Sequence, residues 1–440
     1  MKKNSTRITI KAIITGILIL LMLIPAEFVK SLIYERSNRQ LDAISSVSKS
    51  WAGEQEIVGP YFYIPTSITL AGAKNNVVHS GFLIIFPETL SINGQLRPIE
   101  KKKGIYKVQL YESDLNINGN FLLNKVKQKA NEQIHWEQAT LCYGITDMHG
   151  INNAVSIKLN NLNYALDALL PDNAITLKGM SVPINLADMN KENPLPFFSK
   201  LSIKGVNSLS FSPTGNTTEV HLKSSYPSPS FEGSNLPKFT NTSGFDATWN
   251  SNYFNRSYPQ IWSSQKYELR DDSFGVKLFQ PSNYYTKTER SIKYALLFIG
   301  LTFSFFFILE LLQGKKIHPV QYILVGIALI VFYTLLLSLG EYIGFTNAYT
   351  VASVATIGLI TAYCKSLFMR WKNALHIGLF LTALYVFIFF IIQMEQMNLL
   401  VGSIGLFILV ALAMYLSKKV TWYQPNNNNH NESSEPNSNV

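Results

Sequence analysis

The side chains with which this 440-residue chain could do chemistry are few, and their spacing is poor for it. His79, His135, His149, His221, His318, His376 and His430 show neither the HxH nor the HExxH spacing that sets two imidazoles on one face around a metal. Glu310 lies inside an apolar run, where a carboxylate is costly and often functional. It stands two residues from the run's end, where it could reach headgroup water and pair with nearby Lys315 or Lys316. His318 precedes Pro319, the pattern of a helix-entry turn rather than a ligand site. Asp271 and Asp272 are paired carboxylates, but adjacent residues on a strand point to opposite faces, so a solvated turn is expected. Gly-x-Ser-x-Gly and a Gly-rich phosphate loop are both missing, and Ser46, Ser48 and Ser50 lie on an amphipathic connector. No catalytic, cofactor-binding or metal set can be assigned, and the expectation is a protein that is not an enzyme.

The elements that must position these residues are dominated by apolar runs. After one run near the N-terminus and a long polar stretch come Tyr294 to Leu312, Val320 to Leu339, Thr346 to Cys364, Ala374 to Ile392 and Leu399 to Leu416. About 20 apolar residues in a helix cross the hydrocarbon core. Only Glu310 and His376 interrupt these runs with ionisable groups. The first run is shorter, with an uncharged stretch from Ala12 to Ala26 after a basic flank, the pattern of a signal peptide. Pro25, Glu27, Phe28 and Lys30 stand where a small-x-small cleavage pattern would follow, so an uncleaved anchor is expected over Ile8 to Ile33, with Lys11 and Lys30 snorkelling to opposite interfaces.

Topology follows from charge. If the N-terminus is cytoplasmic, the inner side receives eleven basic residues: Lys2, Lys3, Arg7, Lys11, Lys315, Lys316, Lys365, Arg370, Lys372, Lys418 and Lys419. The opposite short loops, Gly340 to Phe345 and Gln393 to Asn398, carry Glu341 and Glu395 and no Lys or Arg. That bias predicts both termini inside and residues 35–290 outside. It also accounts for much of the net charge of +10; with no Arg-rich stripe or zinc-finger spacing, nucleic-acid binding is not expected. Cys142 and Cys364 fall at different sides or depths of the membrane and cannot bridge within one chain. Cys142 reads as a buried small hydrophobe, the alternative being an intermolecular disulfide or reactive thiol.

Residues 35–290 read as mostly β. Tyr61 to Leu70, Val77 to Phe86, Ile105 to Tyr111, Ala154 to Leu159 and Leu201 to Phe211 are short apolar and β-branched runs, the last broken by Gly205. Asn93-Gly94 and Asn118-Gly119 are hairpin-turn dipeptides, and the spacing suits an antiparallel sandwich or paired small sheets. Residues 225–237, with three prolines, read as a long ordered loop. Leu41, Ile44, Val47 and Trp51 recur at helical spacing, so residues 31–50 should continue the first helix and pack this stripe on the β domain. The tail, Pro425 to Val440, is Asn- and Ser-rich and should be disordered. Within the spans, Ala348, Ala352 and Thr356 form a stripe of small residues, with Gly326 and Gly378 on neighbouring spans; the fourth span should be central.

Several stretches carry a family resemblance. They are Ser50-Trp51-Ala52-Gly53 with Gln55 and Gly59-Pro60; Gly144-Ile145-Thr146-Asp147 with Gly150-Ile151; and Ser225-Tyr226-Pro227 through Leu236-Pro237. Further on come Phe245, Trp249, Asn255-Arg256, Pro259-Gln260 and Phe274-Gly275-Val276 with Leu278 and Pro281. The membrane region adds Glu310-Leu311, Ile317-His318-Pro319, Gln321-Tyr322 and Gly340-Glu341-Tyr342-Ile343-Gly344-Phe345. Together they make the chain, over roughly residues 8–423, similar to the CreD family of bacterial inner-membrane proteins, associated with cell-envelope integrity and colicin tolerance. His149 stands where a basic residue is expected, and the Asn-rich tail is the chain's own. The resemblance brings no catalytic residues with it.

The expected architecture is a polytopic α-helical membrane protein of six spans with a large, mainly antiparallel β domain in the periplasm. Its parts are residues 1–34, a cytoplasmic N-terminus and first transmembrane helix; 35–290, the β-rich domain with its connector helix; 291–416, the five-helix array; and 417–440, the cytoplasmic tail. The expected partners are the lipid bilayer and envelope proteins or cell-wall components, with no cofactor. The expected role is envelope integrity or stress response through periplasmic binding. The alternative is transport or lipid handling along a path among the spans, against which stands the lack of a mid-depth Asp, Lys or Arg.

Overall fold

A computed structural model describes residues 2–70, 77–128, 131–176, 178–240, 243–265, 267–278, 284–313, 317–368 and 371–394, with 403, 404, 407, 411 and 414. Most of the expected span Leu399 to Leu416, the tail after it, and Lys315, Lys316, Arg370 and Glu395 lie outside the described residues. The chain divides into two compact units, Met1–Asn38 with Ser282–Val440, and Arg39–Pro281.

In the helical unit, α1 (Lys2–Ser50) begins the chain and continues past the unit boundary. Then come α2 (Tyr284–Lys293), α3 (Ala295–Gln313), α4 (Pro319–Ile343), α5 (Phe345–Phe368) and α6 (Trp371–Gln393). Four helices among the described residues are long and apolar enough to cross a membrane, or five if α2 and α3, bent by 43°, are one span. Only Gly344 separates α4 from α5. Its φ of 76° lies where a Cβ is strained, and its N–H donates to the Gly340 carbonyl (3.1 Å). The expected loop from Gly340 to Phe345 is therefore almost wholly helix.

Among the described residues α5 packs between α4 and α6 but is the least buried of the three. Its apolar window is 28% buried, against 50% for α4 and 44% for α6. α4 packs on α2, α3 and α5, and a Cβ at Gly326 would come 2.7 Å from the Met22 sulfur, so the glycine lets α1 close on α4. The small stripe on α5 is nonetheless buried at Ala348, Ala352 and Thr356. Aromatic rings fill the array: Phe298 meets Tyr385 at 4.6 Å, and Phe332 meets Tyr333 at 5.0 Å and Tyr385 at 4.8 Å.

The second unit holds β1 (Gln55–Leu70), β2 (Val77–Ile85), β3 (Thr89–Lys103), β4 (Tyr106–Phe121), β5 (Glu132–Ile134), β6 (Thr140–Ile145), β7 (Ser156–Leu159), β8 (Leu162–Ala165) and β9 (Gly179–Pro183). It continues with β10 (Leu195–Val206), β11 (Ser208–Phe211), β12 (Thr217–Ser224), β13 (Pro229–Gly233), β14 (Lys238–Thr240), β15 (Phe245–Asn252), β16 (Ile261–Ser263) and β17 (Phe274–Leu278). One sheet runs β13-β17-β11-β1-β2-β16, with β5 and β6 also on β1 and β9 on β6. The other runs β14-β15-β12-β3-β4-β10-β7-β8. Most pairings are antiparallel, but β1 with β11 and β3 with β12 are parallel, so the sheets are mixed. Alternating residues of both sheets, among them Phe62, Ile92, Ile117, Phe121, Leu201, Leu222 and Trp249, share one buried core. Full burial of such a side chain contributes roughly 1.5–3 kcal/mol.

Four local expectations are corrected. Asn93-Gly94 and Asn118-Gly119 are strand interiors, not turns: Asn93 pairs with Asn116 and Gly119 with Leu90. A Cβ at Gly119 would overlap the Thr89 carbonyl, so this glycine serves close backbone approach. The turn itself is Gly104-Ile105, with Gly104 at φ 62° in the first central position of a two-residue hairpin loop. The stretch Leu201 to Phe211 breaks at Asn207 (φ 60°), not at Gly205. Residues 225–237 contain β13, paired along β17, rather than a continuous loop. On the end of α1, Ile44, Val47 and Trp51 pack on Val108, Leu110 and Val206, whereas Leu41 is exposed.

Candidate functional site

Two resemblance-bearing stretches of the β unit lock together. Gln55 opens β1 and is 99% buried. Its Nε2 donates to the Asp147 carbonyl (2.9 Å) and the Lys204 carbonyl (3.2 Å), while its Oε1 accepts from the Asp147 N–H (3.2 Å). The Asp147 carboxylate accepts from the Gly53 N–H (2.8 Å) and the His149 N–H (3.1 Å). Burial pushes that carboxyl up, but these N–H donors and the His149 ring outweigh it and hold it below the usual aspartate range. A Cβ at Gly150 would overlap the Gln55 amide, which explains the glycine. His149 itself points outward.

Beside this junction the register builds a trough on the first sheet. Glu232 pairs with Gly275, Gly275 with Ser210, and Ser210 with Glu56. The Glu56 N–H then donates to Thr146 Oγ1 (3.1 Å). Two small residues therefore floor a row walled by two carboxylates. The resulting hollow is about 260 Å³, and a second of about 290 Å³ adjoins it through Glu56, Thr146 and Arg270. Ser212 Oγ donates to Glu56 Oε1 (2.8 Å), and Arg270 Nε lies 4.0 Å from Glu56 Oε2. Such a surface can hold a polar ligand through carboxylate, hydroxyl, guanidinium and backbone groups. Ser210 Oγ donates to the Gln55 carbonyl (3.3 Å), and no imidazole lines the hollow to activate it.

In the helical unit Glu310 is 96% buried and has a partner far away in the sequence. It is ion-paired with Lys11 of α1; Lys315 and Lys316 lie outside the described residues. Its Oε1 also accepts from the Ile317 N–H (2.9 Å) and its Oε2 from Tyr322 Oη (3.2 Å). His318 caps α4, its Nδ1 accepting from the Val320 N–H (3.3 Å), in a capping box with Gln321. A second carboxylate, Glu341, accepts from Tyr285 Oη (3.1 Å), with Arg36 at 3.9 Å. Lys11 and Arg36 are 25 positions apart on α1, roughly 37 Å of helix, so carboxylates meet this helix near both ends of a membrane-spanning length.

The remaining groups stay apart. His376 Nδ1 lies 2.6 Å from the Lys372 carbonyl. Asp271 and Asp272 sit in a 3₁₀ turn, where Asp272 accepts from the Ser257 N–H (2.7 Å) and hydroxyl (2.6 Å). Cys142 is fully buried, its thiol pushed up to about 12 by desolvation. No three His, Cys, Asp or Glu side chains among the described residues gather as a metal site would require. One residue with no chemical signal in its spacing is Arg256, nine-tenths buried, whose guanidinium sits over the rings of Tyr258 (4.9 Å), Tyr253 (5.4 Å) and Phe86 (5.5 Å). It also donates to Gln260 Oε1 four residues on.

Comparison with known proteins covers the whole of this arrangement. A family model described as "Inner membrane protein CreD" matches residues 7–423. The protein of that description from Escherichia coli (strain K12) is 30% identical over 415 residues, covering 92% of this chain and 91% of its own.

Proposed function

The chain belongs to the CreD family of inner membrane proteins, and from that footing we propose that it acts in envelope integrity by binding, with the β unit as its receptor. The reading has six spans, both termini in the cytoplasm and the β unit in the periplasm; the Lys and Arg bias of the short connections supports it. The ligand is an envelope component, held rather than converted.

One observation carries this: Gln55, Thr146 and Phe274-Gly275-Val276, from three separate stretches by which the chain resembles its family, line one trough. The close approach of β11 at Leu209 and Ser210 requires the glycine at 275, but it does not account for the two carboxylates, Glu56 and Glu232, that wall the row on the outer side of the sheet. The test is complementation of a deletion strain, scored by sensitivity to detergents, cell-wall antibiotics and colicins. Ser210→Trp fills the trough from a half-buried position. It should accumulate in the membrane at the native level yet fail to restore resistance. Full restoration would remove the trough from the mechanism.

A further inference from the structure

We propose that the tip of the β3–β4 hairpin is a docking face for anionic phospholipid headgroups. Lys101, Lys102, Lys103 and Lys107 crowd the seven residues around the Gly104-Ile105 turn. The register sets Lys102 directly opposite Lys107, and like charges so opposed are destabilising. Glu100 relieves Lys107 at 3.1 Å, but a single carboxylate leaves the tip strongly positive. At its apex Ile105 is 38% exposed, so an apolar side chain stands among the cations.

Tertiary packing adds to the charge. The Lys101 ammonium lies 4.4 Å and the Lys204 ammonium 5.0 Å from the centre of the same ring, that of Trp51. Lys103 donates to Ser46 Oγ, which fixes the tip against the last turns of α1. Glu112 faces Lys204 across the register and offsets one of these charges. The remainder form a fixed basic cluster with aromatic support, which suits phosphate-bearing headgroups.

The tether selects a membrane as the occupant. The apolar run of the first helix ends at Ile33, and Ser46, which Lys103 contacts, follows only thirteen residues later, so the chain itself tethers this basic face to a membrane surface. Charges attract anionic headgroups across about 8–10 Å at physiological salt. This inference depends only on α1 being a span, not on the trough or on which leaflet it leaves.

The experiment uses the full chain in nanodiscs. Ile105→Cys carries an environment-sensitive dye, Cys142 and Cys364 being buried. Headgroup spin labels then quench the dye in discs of phosphatidylcholine alone or with phosphatidylglycerol. Quenching should be stronger with phosphatidylglycerol and vanish at high salt. Replacing Lys101, Lys102 and Lys103 by Gln should lower the docked-to-undocked ratio by roughly fivefold per lysine, whereas Arg at the three positions should preserve it. Equal quenching in the two lipids, or Gln and Arg variants that behave alike, would overturn the proposal. So would soluble polyphosphate shifting the dye while phosphatidylglycerol does not, since the face would then read a free polyanion.

Discussion

Lys11 and Glu310, separated by 299 positions, form an ion pair that joins the first helix to the end of α3. Glu310 is buried while Lys11 is about one-third exposed, so the lysine supplies the compensation and keeps contact with its surroundings. The Ile317 N–H and the Tyr322 hydroxyl satisfy the carboxylate further.

Lys11→Ala should therefore destabilise the helical unit by about 2–3 kcal/mol, somewhat below the 3–5 expected when a fully buried pair is broken. The double variant Lys11→Met with Glu310→Gln should recover part of that loss, because no charge is then stranded. Recovery of monodisperse protein after heating in detergent measures both. Equal behaviour of the single and double variants would contradict the pairing.

Gln55 and Asp147 give a second measurable link. Gln55→Ala removes the partner of the Asp147 amide and should cost about 1–3 kcal/mol in the β unit. Asp147, Asp114 and Asp246 are all held below the usual aspartate range. The Ser202 hydroxyl and Arg97 act on Asp114, and Lys223 and His221 on Asp246. Depressed folded values contribute stability above the unfolded value near 3.9, and that contribution is lost as pH falls through the folded values. Thermal midpoints should thus drop as pH falls below the ordinary aspartate range, and Asp147→Asn should flatten the slope.

Glycines that look alike in sequence should respond differently. At Gly119 an added Cβ overlaps the Thr89 carbonyl, and Gly119→Ala should destabilise by about 3 kcal/mol. At Gly104 a Cβ meets open space, and only the φ of 62° opposes it, at about 1–2 kcal/mol. Denaturant midpoints of the two variants separate these cases; reversal of their order would contradict the strand pairing.

Orientation can be read with an impermeant thiol reagent on intact spheroplasts. Cysteines placed at the exposed positions Leu236 and Tyr342 should react from outside, and one at Trp371 only after lysis. Labelling of Trp371→Cys in intact cells would reverse the proposed topology.

The sequence by itself determined the apolar runs, the β character of the long insert, the helix-entry turn at His318-Pro319 and the family. Each of these is written in local composition, period or contiguous motif, because hydrophobic burial and capping act over a few neighbouring residues. It misread Asn93-Gly94 and Asn118-Gly119, since a glycine needed for a turn and one needed for close approach are chemically identical until the opposing strand is present. Only the tertiary structure decided that β1 runs parallel to β11, that Gln55 meets Asp147, that Lys11 meets Glu310, and that Gly275 and Ser210 floor a trough between Glu56 and Glu232. Those pairings join residues tens to hundreds of positions apart, and no local preference selects them. They are fixed by the packing of both sheets on one core and of α1 on α4, which brings to one place groups the chain keeps far apart.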